Sequence, residues 1–266
     1  METAISPKPV PTSIEALIAR YCELYGVTVT MPEMVGAGEA PDLSHHGIVL
    51  QSSLCQYPCQ SICIHSSPPI LTYPGFLSPA LCSALIRSAL NGQGRQQSPG
   101  SGTYQTLGST TTPRTSTGWF MGRHMPCVSE LLIRLEALTG CSASRFEVAQ
   151  VIRYRSQQEY GWHLDVLPDE SAGPEGNRIA TCLIYLNTIS PSGGGETTFR
   201  DLDDVHVTPV EGTLLLFFPS FGSGQPDFRT VHCSKPLTAG SEQKFIAQVF
   251  IRERPFAGGF DSIPGY

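Results

Sequence analysis

Charge is scarce in this chain. Only 15% of its 266 residues are Asp, Glu, Lys or Arg, and the net balance is −6. No block or stripe of Lys and Arg appears, which argues against a nucleic-acid partner. Long apolar runs are missing too: Leu214-Leu215-Leu216-Phe217-Phe218, among the longest, is far too short to cross a bilayer, so no membrane partner is expected. The opening residues lack a basic segment followed by an apolar core, and the expectation is therefore a soluble cytoplasmic protein. The nine cysteines are an odd number, and no disulfide framework is indicated. Cys55, Cys59 and Cys63 recur every four residues, without the C-x-x-C pairs of zinc knuckles.

What is present divides the chain into three parts: an extension at 1–68, a main domain at 69–256 and a Pro/Gly-rich tail at 257–266. The extension holds an apolar-periodic stretch, Ser13–Leu24, then a segment mixing Pro, Gly, Ser, His and Cys, including His45-His46. It is expected to pack on the main domain near the substrate entrance. The main domain opens with the strand-like Ile70-Leu71-Thr72-Tyr73. A helix over Leu77–Leu90 follows, with Ser78 as cap and Pro79 in its first turn. Residues 91–118 form a long polar loop of the kind used as a lid or binding loop. A second helix is expected over Cys127–Leu138, with Gly140 just past its end.

From Phe146 onward, short β-rich runs separated by turns dominate. They include Glu147–Tyr154, Gly161–Val166, Ile179–Leu186, Glu196–Phe199, His206–Val207, Thr213–Phe218, Thr230–His232 and Phe245–Arg252. Their number and spacing predict a mostly β fold with supporting helices (α+β): a double-stranded β-helix, or jelly roll of cupin type, covered by two helices.

One constellation carries chemistry. His163 and Asp165 alternate along an expected strand and so share a face. A distant second histidine would complete two imidazoles and one carboxylate around a metal, with open positions left over, as in non-haem Fe(II) oxygenases. His232 is favoured over His206 for that role because Lys244 follows it after one short connection. A buried anion beside a metal needs a cation, and Lys244 opens the apolar run Lys244–Phe250. By position alone, Lys244 also fits the solvated first residue of a strand. Tyr154 and Tyr185 each end a strand, and pattern alone reads both as core.

The stretch from Ile70 to Phe256 resembles the catalytic domain of prolyl 4-hydroxylases, within the Fe(II)- and 2-oxoglutarate-dependent dioxygenases. Arg114-Thr115-Ser116-Thr117-Gly118-Trp119-Phe120 is similar to that family's R-T-S-x-G-x-F/L segment. Val151–Tyr154 and Tyr160–Asp165 are similar to its V-x-R-Y … Y-x-x-H-x-D passage. Thr181–Asn187 and Gly194–Phe199 are similar to T-x-L-x-Y-L-N … G-G-E-T-x-F. The resemblance implies that His163, Asp165 and His232 bind Fe(II) and act in catalysis. It implies that Lys244 pairs with the far carboxylate of 2-oxoglutarate, with Tyr154, and less directly Tyr185, as hydroxyl donors. Tyr160, Trp162 and Arg114 would shape the substrate pocket, while Arg178 and Asn187 look structural. Between Tyr154 and His163 the family carries a glycine-containing turn; this chain has Arg155-Ser156-Gln157-Gln158-Glu159. The acidic, Gly-rich segment Pro168–Asn177 is a second departure.

The expected activity is hydroxylation of an unactivated C–H bond, with Fe(II) as cofactor and 2-oxoglutarate and O2 as co-substrates. Ascorbate is a candidate reductant. The expected substrate is a small or peptide-derived metabolite, with a prolyl residue of a peptide or protein as the alternative. The intact Asp165 argues for oxygenation over halogenation. A zinc hydrolase would use the same ligand types, but H-E-x-x-H is absent. A jelly-roll binding module without chemistry would not need all of these ligands. Oligomeric state leaves no signature in the pattern.

Overall fold

Helix starts and stops follow the sequence closely. In the computed structural model, which describes residue 48 and residues 61–97, 115–168, 172–203 and 205–256, helix α1 spans Pro79–Leu90. The Ser78 side chain accepts from the Leu81 amide at 3.3 Å, and Pro79 occupies the first turn, where its missing N–H is no loss. Helix α2 spans Pro126–Thr139 and ends on Gly140, whose φ of 65° is open to glycine. Buried Leu81, Cys82, Leu85 and Ala89 line one side of α1; Val128, Leu131, Leu132, Leu135 and Leu138 line α2.

Both helices pack on one face of an eight-stranded antiparallel sheet. Its strands are β1 (Ile62–His65), β2 (Ile70–Tyr73), β3 (Arg95–Gln97), β4 (Thr117–Phe120), β5 (Gln150–Tyr154), β7 (Arg178–Tyr185), β10 (Leu214–Phe217) and β12 (Lys244–Arg252), in the order β1-β2-β10-β7-β12-β5-β4-β3. A four-stranded sheet, β6-β11-β8-β9, is made of β6 (Tyr160–His163), β8 (Thr197–Phe199), β9 (His206–Val207) and β11 (His232–Ser234). The double-sheet, helix-supported β architecture expected from the sequence is the one observed.

Strand alternation divides the core into two layers. Ala180, Cys182 and Ile184 of β7, Leu214 and Leu216 of β10, and Ala247, Val249 and Ile251 of β12 face the helices. Their neighbours Leu183, Tyr185, Leu215, Phe217 and Ile246 join Ile70, Ile152, Tyr154, Phe199 and Val207 in a second layer. Because both faces of β7, β10 and β12 are covered, these strands read as continuous apolar runs. Lys244 shares the phase of Ile246, and so faces the second layer.

Three local differences from the expected pattern have physical reasons. The run ending at His232 is not a strand throughout: Phe228–Thr230 is a 3-10 turn and β11 begins at His232. β6 ends at His163, so Asp165 lies just beyond the strand. Ile62–His65, inside the segment 1–68, adds an edge strand to the large sheet. The departure noted at 155–159 is also explained. Gln157 has φ 63°, a left-handed conformation that glycine adopts freely and other residues adopt at a cost of about 1 kcal/mol. Its amide donates to the Leu237 carbonyl at 2.9 Å, which holds the turn. Ser13–Leu24, His45-His46, Cys55, Cys59 and the tail at 257–266 lie outside the described residues, as does most of the 91–118 loop. The described cysteines are all free thiols. Among the described residues, no helix is long and apolar enough to cross a membrane.

Candidate active site

Register in the small sheet brings the two histidines together. His232 of β11 stands directly opposite His163 of β6, with ring centroids 4.2 Å apart. Asp165 reaches the same point from the bend after β6. Its Oδ1 lies 3.5 Å from His163 Nε2 and its Oδ2 lies 3.6 Å from His232 Nε2. All three side chains are buried, with potential ligand atoms within 4.8 Å of one another. The rival His206 is exposed on β9 and stands apart from this cluster.

The protonation state suits a cation. His163 Nδ1 donates to the Gly161 carbonyl at 2.8 Å, and His232 Nδ1 donates to the Thr230 carbonyl at 3.0 Å. A carbonyl can only accept, so each Nδ1 carries a proton and each Nε2 is the ring atom turned toward Asp165. Burial, reinforced by neighbouring His163, pushes the His232 pKa down to about 4, leaving a neutral ring. Burial alone would favour a protonated Asp165; cationic neighbours, the imidazoles when protonated and the Arg178 guanidinium, outweigh it and hold the carboxyl well below its usual range. Two imidazole Nε2 atoms and a carboxylate thus converge in a buried site, and two imidazoles with one carboxylate suit Fe(II).

Asp165 needs outside support because no strand ladder holds it. Thr181 Oγ1 donates to its Oδ2 at 2.7 Å, and Arg178 Nη1 donates to its backbone carbonyl at 3.2 Å. Arg178 is itself held by a bidentate pair with Glu147 at 2.7 and 2.8 Å, and Glu147 also accepts from Arg252 at 3.0 Å. Asn187 ties its loop to β12, accepting from the Phe245 amide at 2.7 Å and donating to the Gln243 carbonyl at 2.9 Å. Arg178 and Asn187 therefore have the structural character expected. Thr181 carries a role that sequence pattern did not single out; the available signal was a lone hydroxyl in inward phase within an apolar strand.

Lys244 stands opposite Tyr154 in the β12–β5 ladder, only 1% exposed, with Nζ 4.3 Å from the centre of the Tyr154 ring. Nζ donates to the Gly195 carbonyl at 2.7 Å and to the Ser234 hydroxyl. Burial pushes its pKa down to about 7, opposed by the more distant Glu196. No ion pair joins Lys244 to a carboxylate among the described residues. A buried ammonium of this kind invites an anion. The solvated reading of Lys244 is thereby excluded.

The remaining expected site residues divide. Tyr160 stacks on His163 at a centroid distance of 3.7 Å, beside the triad. Trp162, next to His163 on β6, carries the Lys235 ammonium 5.0 Å from its ring centre. Tyr185 lies in the second layer, but its hydroxyl is engaged with Thr197 Oγ1 at 2.8 Å and the Val207 carbonyl at 3.2 Å. Tyr185 is thus a wall braced by β8 and β9. Arg114 lies outside the described residues; its neighbour Thr115 is tied by its amide to the Glu159 carbonyl at 3.2 Å, just before β6. Phe217, 4.7 Å from the His232 ring, and Phe199, at 5.7 Å, keep that side apolar.

Comparison with known proteins agrees with this geometry. Residues 149–252, which contain all three triad residues and Lys244, match the 2OG-Fe(II) oxygenase superfamily. Prolyl 4-hydroxylase subunit alpha-1 of Homo sapiens is 32% identical over 141 residues, covering 51% of this chain; the match spans only 26% of the human protein. Probable prolyl 4-hydroxylase 9 of Arabidopsis thaliana is 28% identical over 244 residues, 84% of this chain and 82% of the plant protein. Among solved structures, the viral collagen prolyl hydroxylase vCPH from Paramecium bursaria Chlorella virus-1, in a 2OG complex, superposes with TM-score 0.53 and 27% identity over 69% of this chain and 95% of the viral chain. Residues 149–252 thus match the 2OG-Fe(II) oxygenase superfamily, and the chain is similar to prolyl 4-hydroxylases.

Proposed function

We propose that this chain is an Fe(II)- and 2-oxoglutarate-dependent oxygenase that hydroxylates an unactivated C–H bond. The observation that carries the proposal is the buried triad of two imidazoles and a carboxylate, together with a buried lysine that forms no ion pair with a carboxylate among the described residues. His163, Asp165 and His232 would hold the iron, and Lys244 would pair with the distal carboxylate of 2-oxoglutarate. Tyr154, whose ring lies against that ammonium, would offer its hydroxyl to the same carboxylate. Held there with 2-oxoglutarate, Fe(II) would supply oxygen activation, the overall change being substrate C–H, 2-oxoglutarate and O2 to alcohol, succinate and CO2. The protein's contribution is orientation and exclusion of water. Thr181 holds the Asp165 carboxylate and Arg178 its backbone carbonyl, Tyr160 covers one imidazole, and Phe199 and Phe217 pack beside the other.

For the substrate, the prolyl 4-hydroxylases among the relatives support a prolyl residue in a peptide or protein. They fit the small or peptide-derived metabolite expected from the sequence as well, if that metabolite carries a proline ring. The test is anaerobic addition of Fe(II) and 2-oxoglutarate, followed by the visible charge-transfer band of a chelated oxo-acid. Succinate release is then screened with proline peptides and free small molecules. A band that Lys244→Ala weakens supports the cofactor assignment; a folded protein with no band overturns it. Turnover of proline peptides selects the prolyl reading, and turnover of small molecules alone selects the metabolite reading.

A further inference from the structure

His163 and His232 are braced differently. Each donates Nδ1–H to a carbonyl two residues earlier in the chain. For His163 that carbonyl belongs to Gly161 within β6, which pairs with β11. For His232 it belongs to Thr230, in the 3-10 turn before β11, where no strand partner fixes the backbone. Something else must hold Thr230 in place.

Two buried charges do so. Asp227, fully buried, caps the turn: its side chain accepts from the Arg229 amide at 3.2 Å, and its own carbonyl accepts from the Thr230 amide at 3.1 Å and the Thr230 hydroxyl at 2.8 Å. Arg229, 2% exposed, closes a two-pronged pair with the same carboxylate, Nε to Oδ1 at 2.8 Å and Nη2 to Oδ2 at 2.6 Å. A buried ion pair is a poor source of stability, because desolvation offsets its attraction, but it fixes geometry. The guanidinium then extends beyond the turn. Arg229 Nη1 donates to the Ser67 hydroxyl at 3.1 Å, 162 residues earlier in sequence. Ser67 is itself seated between two anchored neighbours, since His65 Nδ1 bonds the Pro68 carbonyl at 2.9 Å and both residues are buried.

We propose that Arg229 is a positioning residue for the metal ligand His232, and that Ser67, at the end of the N-terminal segment, belongs to the same brace. The chain of contacts runs Ser67, Arg229, Asp227, Thr230 carbonyl, His232 Nδ1. It gives the first part of the protein a role in setting the orientation and basicity of an iron ligand. This inference rests on the triad holding a divalent metal.

The test uses the full chain and Co(II) as probe, titrated anaerobically and followed by its visible ligand-field bands. Arg229→Met is expected to weaken Co(II) binding about tenfold and to shift the bands, as for other groups that orient ligating histidines. Arg229→Lys, which keeps the charge and loses the fork, should fall between it and the parent. Ser67→Ala should weaken binding about threefold, the effect of one lost hydrogen bond. Leu85→Ala, in the helix-side core, lowers Tm without touching the brace and should leave affinity and bands unchanged. Parental affinity and spectrum in Arg229→Lys and Ser67→Ala would overturn the inference, as would an equal loss in Leu85→Ala. If Arg229→Met fails to fold, the Lys and Ser67 variants still decide. If the parent chain binds no Co(II) at all, the metal reading itself falls and this inference with it.

Discussion

The Thr181 hydroxyl donates to Asp165 Oδ2 at 2.7 Å, joining the large sheet to the one triad residue that no strand holds. β7 is buried along its whole length and paired on both sides, with β10 and β12. Asp165, on a bend after an edge strand, is tied to it by that hydrogen bond and by the Arg178 contact to its carbonyl.

Thr181→Val therefore keeps the shape and removes the donor. Divalent metal affinity should fall by about 10- to 100-fold, read by anaerobic Fe(II) or Co(II) titration of protein that remains folded by circular dichroism. Unchanged affinity would mean that Asp165 is held by Arg178 alone.

Removing Glu147 tests the layer beneath. Its carboxylate is the shared counter-charge of Arg178 and Arg252 in a buried cluster. Glu147→Gln leaves two buried guanidinium groups without their counter-charge, and unfolding free energy in urea should drop by about 3–5 kcal/mol. A loss below about 1 kcal/mol would show that water reaches the cluster.

The pH dependence of co-substrate binding follows from Lys244. Burial lowers its pKa to about 7 in the ligand-free protein, so the ammonium is lost as pH rises through that value. A bound carboxylate retains the proton, so binding above that pH must take one up. Affinity for 2-oxoglutarate should be flat below about pH 7 and decline above it, approaching about tenfold per pH unit. Calorimetry in buffers of different ionisation enthalpy reads the proton uptake directly. Lys244→Met should bind weakly and without this slope. The same shift acts on stability: the unfolded chain keeps the proton up to the ordinary value of 10.5, so this group makes the empty protein more stable as pH rises from 7 toward 10.5.

The two candidate histidines give the cleanest contrast. His232→Ala removes a ligand and should abolish detectable metal binding, whereas His206→Ala, on an exposed edge strand, should leave it within twofold of the parent, about the error of such a titration. Equal effects would contradict the ligand assignment.

Much of this protein is legible in one dimension. Ser78, Pro79 and Gly140 mark helix ends because caps are local chemistry, decided within a few residues. The apolar runs of β7, β10 and β12 declare buried strands, and the motif spacing around His163, Asp165, His232 and Lys244 names the chemistry. Other features depended on register and packing, which no short window contains. Only the β6–β11 pairing sets His232 opposite His163, and so decides against His206. Only the β12–β5 ladder turns Lys244 inward against Tyr154, where position alone allowed a solvated residue. Tyr185 carried a promising sequence context, yet only the packing of β8 shows its hydroxyl engaged by Thr197. The sequence by itself determined which residues can bind a metal, because ligand chemistry belongs to side chains. Tertiary structure alone decided which of them meet and what holds them, because partners such as Thr181 and Asp165 are neighbours only after strands far apart in the chain have paired.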